Sequence, residues 1–249
     1  PPAHNLGYAT LGTMILWFGW YGFNPGSTLG LGNPGLVGLV ALNTTLGAAA
    51  GGMVCMFFMY ARTGKWDLSG ALNGTLAGLV AVTAPCAFVE PWAAILIGGV
   101  GGVLVVVAAD LVEKIKIDDP VAAFAVHGAN GIWGTIAIGI FAIPGTLFAG
   151  PYAAGGALAG QGGLIYGNAG LLVTQLIGSG STIIYCVVTS ILMFGLLKAI
   201  NRLRVNSKAD EVGIDVYEHG VSVWPDVMPV PSEDPMVKGA PSKAPAVGD

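Results

Sequence analysis

The chain alternates between long apolar blocks and short polar segments. Each block has about 20 residues, the length that an α-helix needs to cross the hydrocarbon core of a bilayer. The segments between them contain Pro, Gly, Asn or charged residues, which end helices and form turns. The pattern predicts six membrane-spanning helices, over residues 6–24, 35–61, 69–89, 92–114, 120–142 and 170–200.

The positive charges all fall on one side of these predicted helices. If the loops are counted alternately from the N-terminus, the ten Lys and Arg residues lie in the segments on the N-terminal side. The positive-inside rule makes that side cytoplasmic, so we expect both ends of the chain inside the cell. An error of one in the helix count would scatter the charges over both sides, and their sorting therefore supports six spans.

The composition agrees with a membrane protein. Of the 249 residues, 54% are hydrophobic and 10% are charged, whereas soluble domains carry about 25% charged residues. We therefore expect an all-α, multi-pass integral membrane protein, with a membrane domain over residues 1–202. Residues 203–249 are polar and rich in Pro, which predicts a cytoplasmic tail that is disordered from about residue 228. Since no basic patch stands outside the loops, a nucleic-acid partner is not expected.

The motifs of most enzymes are not visible in the sequence. There is no catalytic triad, metal-ligand spacing or phosphate-binding loop, so we expect neither an enzyme nor a bound cofactor. Cys55, Cys86 and Cys186 lie in apolar segments without a CxxC pair, which is typical of small packing residues. The chain opens PPAHNLGYAT, without Met or a basic leader region, and we expect it to be part of a longer chain.

A histidine lies in the fifth apolar block and is the main candidate for chemistry. His127 has no Lys or Arg near it, in DDPVAAFAVHGANGIWGTIAIGIFA (residues 118–142). An ionisable side chain within a membrane span is costly and indicates a functional site. Imidazole can also pass on a proton near neutral pH. Asp118-Asp119-Pro120 is typical of a helix start, with carboxylates that cap free amides and Pro at the first position.

Aromatic side chains crowd the end of the first predicted helix. Trp17, Trp20, Tyr21 and Phe23 lie there, and Ser27 follows shortly after. Such a group can hold a small cation through cation–π attraction and one hydrogen bond. It can equally be the aromatic belt that membrane proteins place at the lipid–water interface. The residues alone leave both interpretations open.

Polar residues also interrupt the predicted spans. Pro85 removes a helical hydrogen bond, so the backbone near it either lines a cavity or forms a kink near a helix end. Asn43, Asn73 and Asn130 lie within apolar blocks. Residues of this kind are more often hydrogen-bond partners between helices than ligands.

Four blocks together resemble one family of membrane proteins. They are GTMILWFGWYGFNPGS (12–27), LAGLVAVTAPCAFV (76–89), residues 118–142 and LRVNSKADEVGIDVYEHG (203–220). In order and spacing they resemble the ammonium transporters, the Amt/Mep/Rh superfamily, and the Amt type in particular. The resemblance implies an eleven-helix fold in two inverted halves, a homotrimer with one pore per subunit, and a place in the plasma membrane. Six helices with both ends inside match helices 6–11.

The resemblance also implies roles for individual residues. Phe23 matches the phenylalanine that gates the pore at its outer vestibule, and Ser27 matches the hydroxyl that meets the ammonium ion. Trp20 matches a tryptophan that lines the pore, and His127 matches one of the twin pore histidines. The implied structural residues are Asp119, which opens the histidine-bearing helix, and Thr83 and Asn73, on the kinked helix beside the pore.

The chain departs from the family pattern in two ways. The first half, with its own histidine and vestibule aromatics, has no counterpart here. In the tail, plant members carry a regulatory threonine where this chain has Tyr217-Glu218-His219-Gly220, so control by threonine phosphorylation is in doubt.

The implied function is transport of ammonium. The vestibule would capture the cation, which would lose a proton and cross an apolar pore as ammonia. Potassium has no proton to lose, so such a pore would exclude it. Two alternatives remain open: an ammonium sensor of the same fold, and a half-transporter that dimerises around inverted repeats.

Overall fold

The computed structural model describes residues 5–144 and 162–221. Its elements, in chain order, are α1 (Leu6–Phe23), a 3₁₀ turn (Pro25–Thr28), α2 (Pro34–Thr63), α3 (Leu68–Thr83), α4 (Pro91–Lys114), a π-helical segment (Phe124–Ala129) that continues into α5 (Asn130–Phe141), a second 3₁₀ turn (Leu164–Tyr166), α6 (Gly170–Ala199), α7 (Ser207–Val212) and α8 (Ile214–His219). Neither described range contains a β-strand. The predicted all-α fold is confirmed.

The apolar blocks of the sequence correspond closely to these helices. By length and composition, α2, α4, the stretch Phe124–Phe141 and α6 can each cross a membrane, and α3 is apolar but has only 16 residues. Two predicted ranges were too long. The span predicted over 69–89 ends as a helix at Thr83, and the span predicted over 120–142 becomes helical only around Phe124.

Helices α2, α3 and α4 pack with very close backbone contact. A Cβ atom at Gly78 of α3 would collide with the carbonyl of Gly47 on α2, and a Cβ at Gly98 of α4 would collide with the same carbonyl. Because lipid tails are as apolar as the helices, association in a membrane depends on such close van der Waals packing between small residues. These three glycines therefore set the distance between the helices that support the rest of the fold.

An ion pair joins α2 to α4 where both helices end. Arg62 Nη1 lies 2.8 Å from Asp110 Oδ2, and both side chains are about two-fifths exposed. A pair with this exposure contributes little to stability, typically ~0–1 kcal/mol. It does place the C-terminal ends of α2 and α4 on one side of the bundle, as the alternating order of the predicted spans requires.

The backbone after α3 is irregular, but a side chain of α2 forms hydrogen bonds with two of its carbonyl groups. Pro85 is fully buried there and has no N–H to donate. The buried Asn43 of α2 donates through Nδ2 to the carbonyl oxygens of Cys86 (2.8 Å) and Val89 (2.9 Å). Irregular backbone within a membrane protein is tolerated where protein groups cover it, and here the covering group is an amide from a neighbouring helix. Asn43 thus bonds to the segment between α3 and α4, and not to another helix as predicted.

The chain divides into two units, residues 1–183 and 184–249. The first contains α1 to α5 and the beginning of α6. In the second, α7 begins where Asn206 Oδ1 accepts a hydrogen bond from Lys208 N at 2.9 Å. The boundary at residue 202 and the cytoplasmic side of the tail stay predictions, and the disorder predicted from about residue 228 concerns residues outside the described ranges.

Candidate functional site

The aromatic end of α1 is attached to the end of α3 by one side-chain hydrogen bond. Trp20 Nε1 donates to Thr83 Oγ1 at 2.8 Å, and Thr83 Oγ1 in turn donates to the Leu79 carbonyl at 2.7 Å. The Thr83 hydroxyl therefore acts as donor and acceptor at once. These two residues are 63 positions apart in sequence, and this bond fixes the plane of the indole.

Phe23 lies next to Trp20 at the end of α1, and Ser27 follows in the 3₁₀ turn. The rings of Trp20 and Phe23 are 6.0 Å apart between centroids, with 59° between their planes. Phe23 is 57% exposed. The exposed Ser27 hydroxyl donates to the Phe23 carbonyl at 2.6 Å, which leaves its oxygen able to accept a further hydrogen bond. Two ring systems and one oxygen acceptor thus stand together at this end of α1.

Other polar contacts hold this end of α1 against α2. The buried Asn24 donates through Nδ2 to Thr44 Oγ1 at 3.0 Å, and the Tyr21 hydroxyl and Thr45 Oγ1 are 2.6 Å apart. The Tyr21 hydroxyl is engaged in anchoring α1, although the sequence grouped this residue with the candidate cation-binding aromatics. The anchoring role of Tyr21 was not predicted from the sequence, where the adjacent Thr44 and Thr45 in an apolar block were the available signal.

The segment that carries His127 begins differently from the prediction. Pro120 is not the first helical residue, because Ala122 has a left-handed backbone (φ 54°) and regular structure begins after it. The Asp119 carboxylate caps this start: Oδ1 accepts from Ala123 N at 2.7 Å and Oδ2 from Phe124 N at 2.9 Å. His127 therefore lies within the first turns of the helical segment.

Neighbouring side chains of the π-helical segment differ in burial: Ala125 and Val126 are buried, and His127 is exposed. Ala125 and Val126 are buried in a cluster with residues of α2, α3 and α4, and Trp20 packs against that same cluster. His127 is exposed, and its ring makes no hydrogen bond to another described residue. π-helical turns are rare and are frequent at functional sites. The cluster connects the aromatic end of α1 to the histidine-bearing segment.

The structural role predicted for Asn73 stays a prediction, whereas Asn130 is not the hydrogen-bond partner between helices that was expected. Asn73 is half-buried and precedes Thr83 by ten residues, roughly 15 Å along the helix axis, so it does not join the group around Trp20. Asn130 is fully buried, but its amide donates to Ala125 O at 2.9 Å within its own segment, and not to another helix. Within the described residues, no three His, Cys, Asp or Glu side chains are grouped to hold a metal ion.

Comparison with known proteins gives a consistent result. The model of the Ammonium Transporter Family matches residues 2–223. Ammonium transporter Amt2 of Archaeoglobus fulgidus is 41% identical over 235 residues, covering 94% of this chain and 49% of the relative. Ammonium transporter 1 member 3 of Solanum lycopersicum is 36% identical over 228 residues, covering 87% and 50%.

Solved structures agree with these relatives. The crystal structure of Saccharomyces cerevisiae Mep2 has 33% identity and a TM-score of 0.74, and the match covers 85% of this chain and 46% of that one. A structure titled Sensor Amt Protein has 36% identity and a TM-score of 0.72, covering 87% and 50%. The chain spans about half the length of the relatives it matches. It belongs to the ammonium transporter family.

Proposed function

We propose that the protein to which this chain contributes carries ammonium across a lipid bilayer. The observation that carries the proposal is His127, an exposed imidazole on a segment of otherwise apolar helix. In a bilayer an exposed imidazole would face lipid at a large cost unless another surface covers it. A pore that it shares with a second set of helices would remove this cost and give the ring a function.

The ion is captured at the aromatic end of α1 in this mechanism. Ammonium is attracted to the faces of Trp20 and Phe23 by cation–π interaction. The Ser27 oxygen accepts one of its N–H groups, since the Ser27 hydrogen already points to the Phe23 carbonyl. The Trp20–Thr83 bond keeps the indole in place, so that little ordering is needed when the ion arrives.

The ion is expected to lose a proton before it enters the apolar part of the pore. An unpaired charge in a dry apolar passage costs several kcal/mol or more. A cost of about this size makes buried ionisable groups adopt their neutral form. Ammonia carries no charge, and His127 can offer it a hydrogen bond or take part in relaying the released proton. Potassium would keep its charge throughout, and the same cost would exclude it.

The chain is proposed to form helices 6–11 of an eleven-helix subunit. The lengths of the relatives support this arrangement, because the chain matches 49% of the Archaeoglobus fulgidus protein and 46% of the Saccharomyces cerevisiae structure. We further propose a homotrimer in the plasma membrane, with both ends of the chain in the cytoplasm. The sorting of Lys and Arg onto one side supports that orientation.

A sensor is the second candidate, because a structure titled Sensor Amt Protein is 36% identical to this chain. A sensor would bind ammonium at the same aromatic end without sustained flux. Reconstitution of the full-length protein in liposomes distinguishes the two candidates. A transporter produces uptake that continues over many turnovers, and a sensor produces binding that saturates at one ion per site.

The test of the proposal is His127→Ala in the full-length protein, in cells that lack other ammonium uptake. We expect radiolabelled methylammonium uptake to fall by about tenfold or more, the usual effect of losing a group that handles a proton. Leu96→Ala is the control, because it truncates a half-exposed apolar side chain of α4 and removes no polar group. Unchanged uptake in His127→Ala, at equal abundance in the membrane, would falsify the proposed role.

A further inference from the structure

The π-helical segment around His127 is held by one buried amide. Asn130 is fully buried, and its Nδ2 donates to the Ala125 carbonyl at 2.9 Å. Its backbone N–H donates to the carbonyl of His127 itself. One residue therefore bonds to the histidine's own carbonyl and to a carbonyl two residues before it, and restrains the backbone on which the imidazole stands.

The other half of the Asn130 amide is left without a hydrogen bond. Oδ1 is buried and has no partner among the described residues. It lies against Gly101 of α4, where an added Cβ would be 2.8 Å from Oδ1 and 3.1 Å from the Cβ of Ala81 on α3. An unsatisfied buried acceptor costs free energy that an apolar side chain of similar shape would avoid. The unpaired oxygen of the amide therefore lowers stability, and only the Nδ2–H group of the side chain forms a hydrogen bond.

A π-helical turn changes the direction of the side chains it carries. One residue more or fewer in a turn rotates the following side chains by about 100° relative to those before it. Ala125 and Val126 are held in the core, so a return of this turn to α-helical geometry would swing His127 away from its present direction. The bond from Asn130 to Ala125 O opposes that return.

We propose that Asn130, seated against Gly101, is a positioning residue that maintains the π-helical turn and so aims the His127 ring into the pore. The inference rests on the proposed role of His127. Asn130 itself does not contact the substrate. Its effect is transmitted through the backbone carbonyls of Ala125 and His127.

The experiment uses the full-length protein with three variants and two measurements. Asn130→Leu removes the N–H donor and keeps a similar shape. Gly101→Ala leaves the amide in place but presses a Cβ against its oxygen. Gly99→Ala is the matched control on the same helix, because its Cβ would be 3.4 Å from Val54 Cγ2, an ordinary contact. The measurements are methylammonium uptake per molecule in the membrane, and the rate at which diethyl pyrocarbonate modifies His127, followed by mass spectrometry.

We expect Asn130→Leu to reach the membrane in normal amounts and resist unfolding as well as the unchanged protein, since it loses both a bond and an unsatisfied oxygen. Its uptake should fall by about tenfold or more, as misplacing a functional group by an ångström commonly does. The rate of His127 modification should change as well. Gly101→Ala should shift both measurements in the same direction, and Gly99→Ala should shift neither.

Normal uptake with normal His127 modification in Asn130→Leu overturns the inference. It is also overturned if neither Asn130→Leu nor Gly101→Ala reaches the membrane, because the amide then serves folding alone. His127→Ala is measured in the same series. If that variant transports normally, the proposed function fails, whereas a loss in His127→Ala without any effect of Asn130→Leu rejects only the positioning role.

Discussion

The hydrogen bond between Trp20 and Thr83 offers a quantitative test of how α1 is attached to α3. The substitution Thr83→Val keeps the shape of the side chain and removes the oxygen that accepts the indole N–H at 2.8 Å. It also removes the donor to the Leu79 carbonyl within α3. The indole N–H, which is partly buried, is left without its acceptor.

The expected cost follows from these two losses. A buried donor left unsatisfied costs about 1–3 kcal/mol, and the partial burial of this pair favours about 1–2 kcal/mol for the Thr83→Val change. The bond from the Thr83 hydroxyl to its own helix adds little, because such local bonds are common and weakly stabilising. Most of the destabilisation should therefore depend on the presence of Trp20.

A double-mutant cycle separates the two contributions. The free energy of unfolding is measured by SDS titration in mixed micelles for the unchanged protein, Thr83→Val, Trp20→Phe and the double variant. We expect a coupling of about 1 kcal/mol, since residues that share a hydrogen bond are not additive. Thr174→Val is the control, as that hydroxyl donates to Gly170 O of its own helix. Additive effects in the cycle would contradict the reasoning and show that the bond does not fasten α1.

Two further substitutions test local parts of the fold. Asp119→Ala removes the carboxylate that caps two backbone amides, and we expect a loss of about 1–2 kcal/mol in the same titration; no change would mean that solvent satisfies these amides equally well. Gly78→Ala places a Cβ against the Gly47 carbonyl, so overpacking should cost about 1–3 kcal/mol and lower the amount of protein in the membrane. Gly12→Ala, where the added Cβ meets nothing within 4 Å, should be neutral, and equal behaviour of the two glycine variants would refute the packing argument.

The all-α fold and the approximate limits of the apolar helices could be read from the sequence. The thickness of the bilayer sets the length of a spanning helix at about 20 apolar residues. A run of that length is a local property of the chain, and it predicts a helix. One polar segment that the sequence marks as a turn ends in such a start, for Pro34 begins α2 and Asn33 Oδ1 accepts from Leu36 N at 3.1 Å. The resemblance to ammonium transporters was also carried by short contiguous blocks.

The form of the fifth helix could not be read from the same signals. The sequence predicts an ordinary helix that starts at Pro120, yet regular structure starts only after Ala122, and the first turns are π-helical. Apolar content does not distinguish α from π geometry, because a single π-helical turn leaves the composition of the segment unchanged. In the folded protein, Asn130 Nδ2 donates to the Ala125 carbonyl at this turn, a contact that apolar content does not predict.

The contacts that assemble the candidate site belong to the folded molecule. Trp20 meets Thr83 across 63 positions, and Asn43 reaches the carbonyls of Cys86 and Val89 across more than 40. Each pairing depends on how its elements cross, and the tight glycine contacts set the crossings among α2, α3 and α4. Hydropathy and helix-start motifs act within a few residues and carry no information about such distant partners. Local chemistry therefore predicts the spans, while the partners of their polar side chains emerge from how the spans pack.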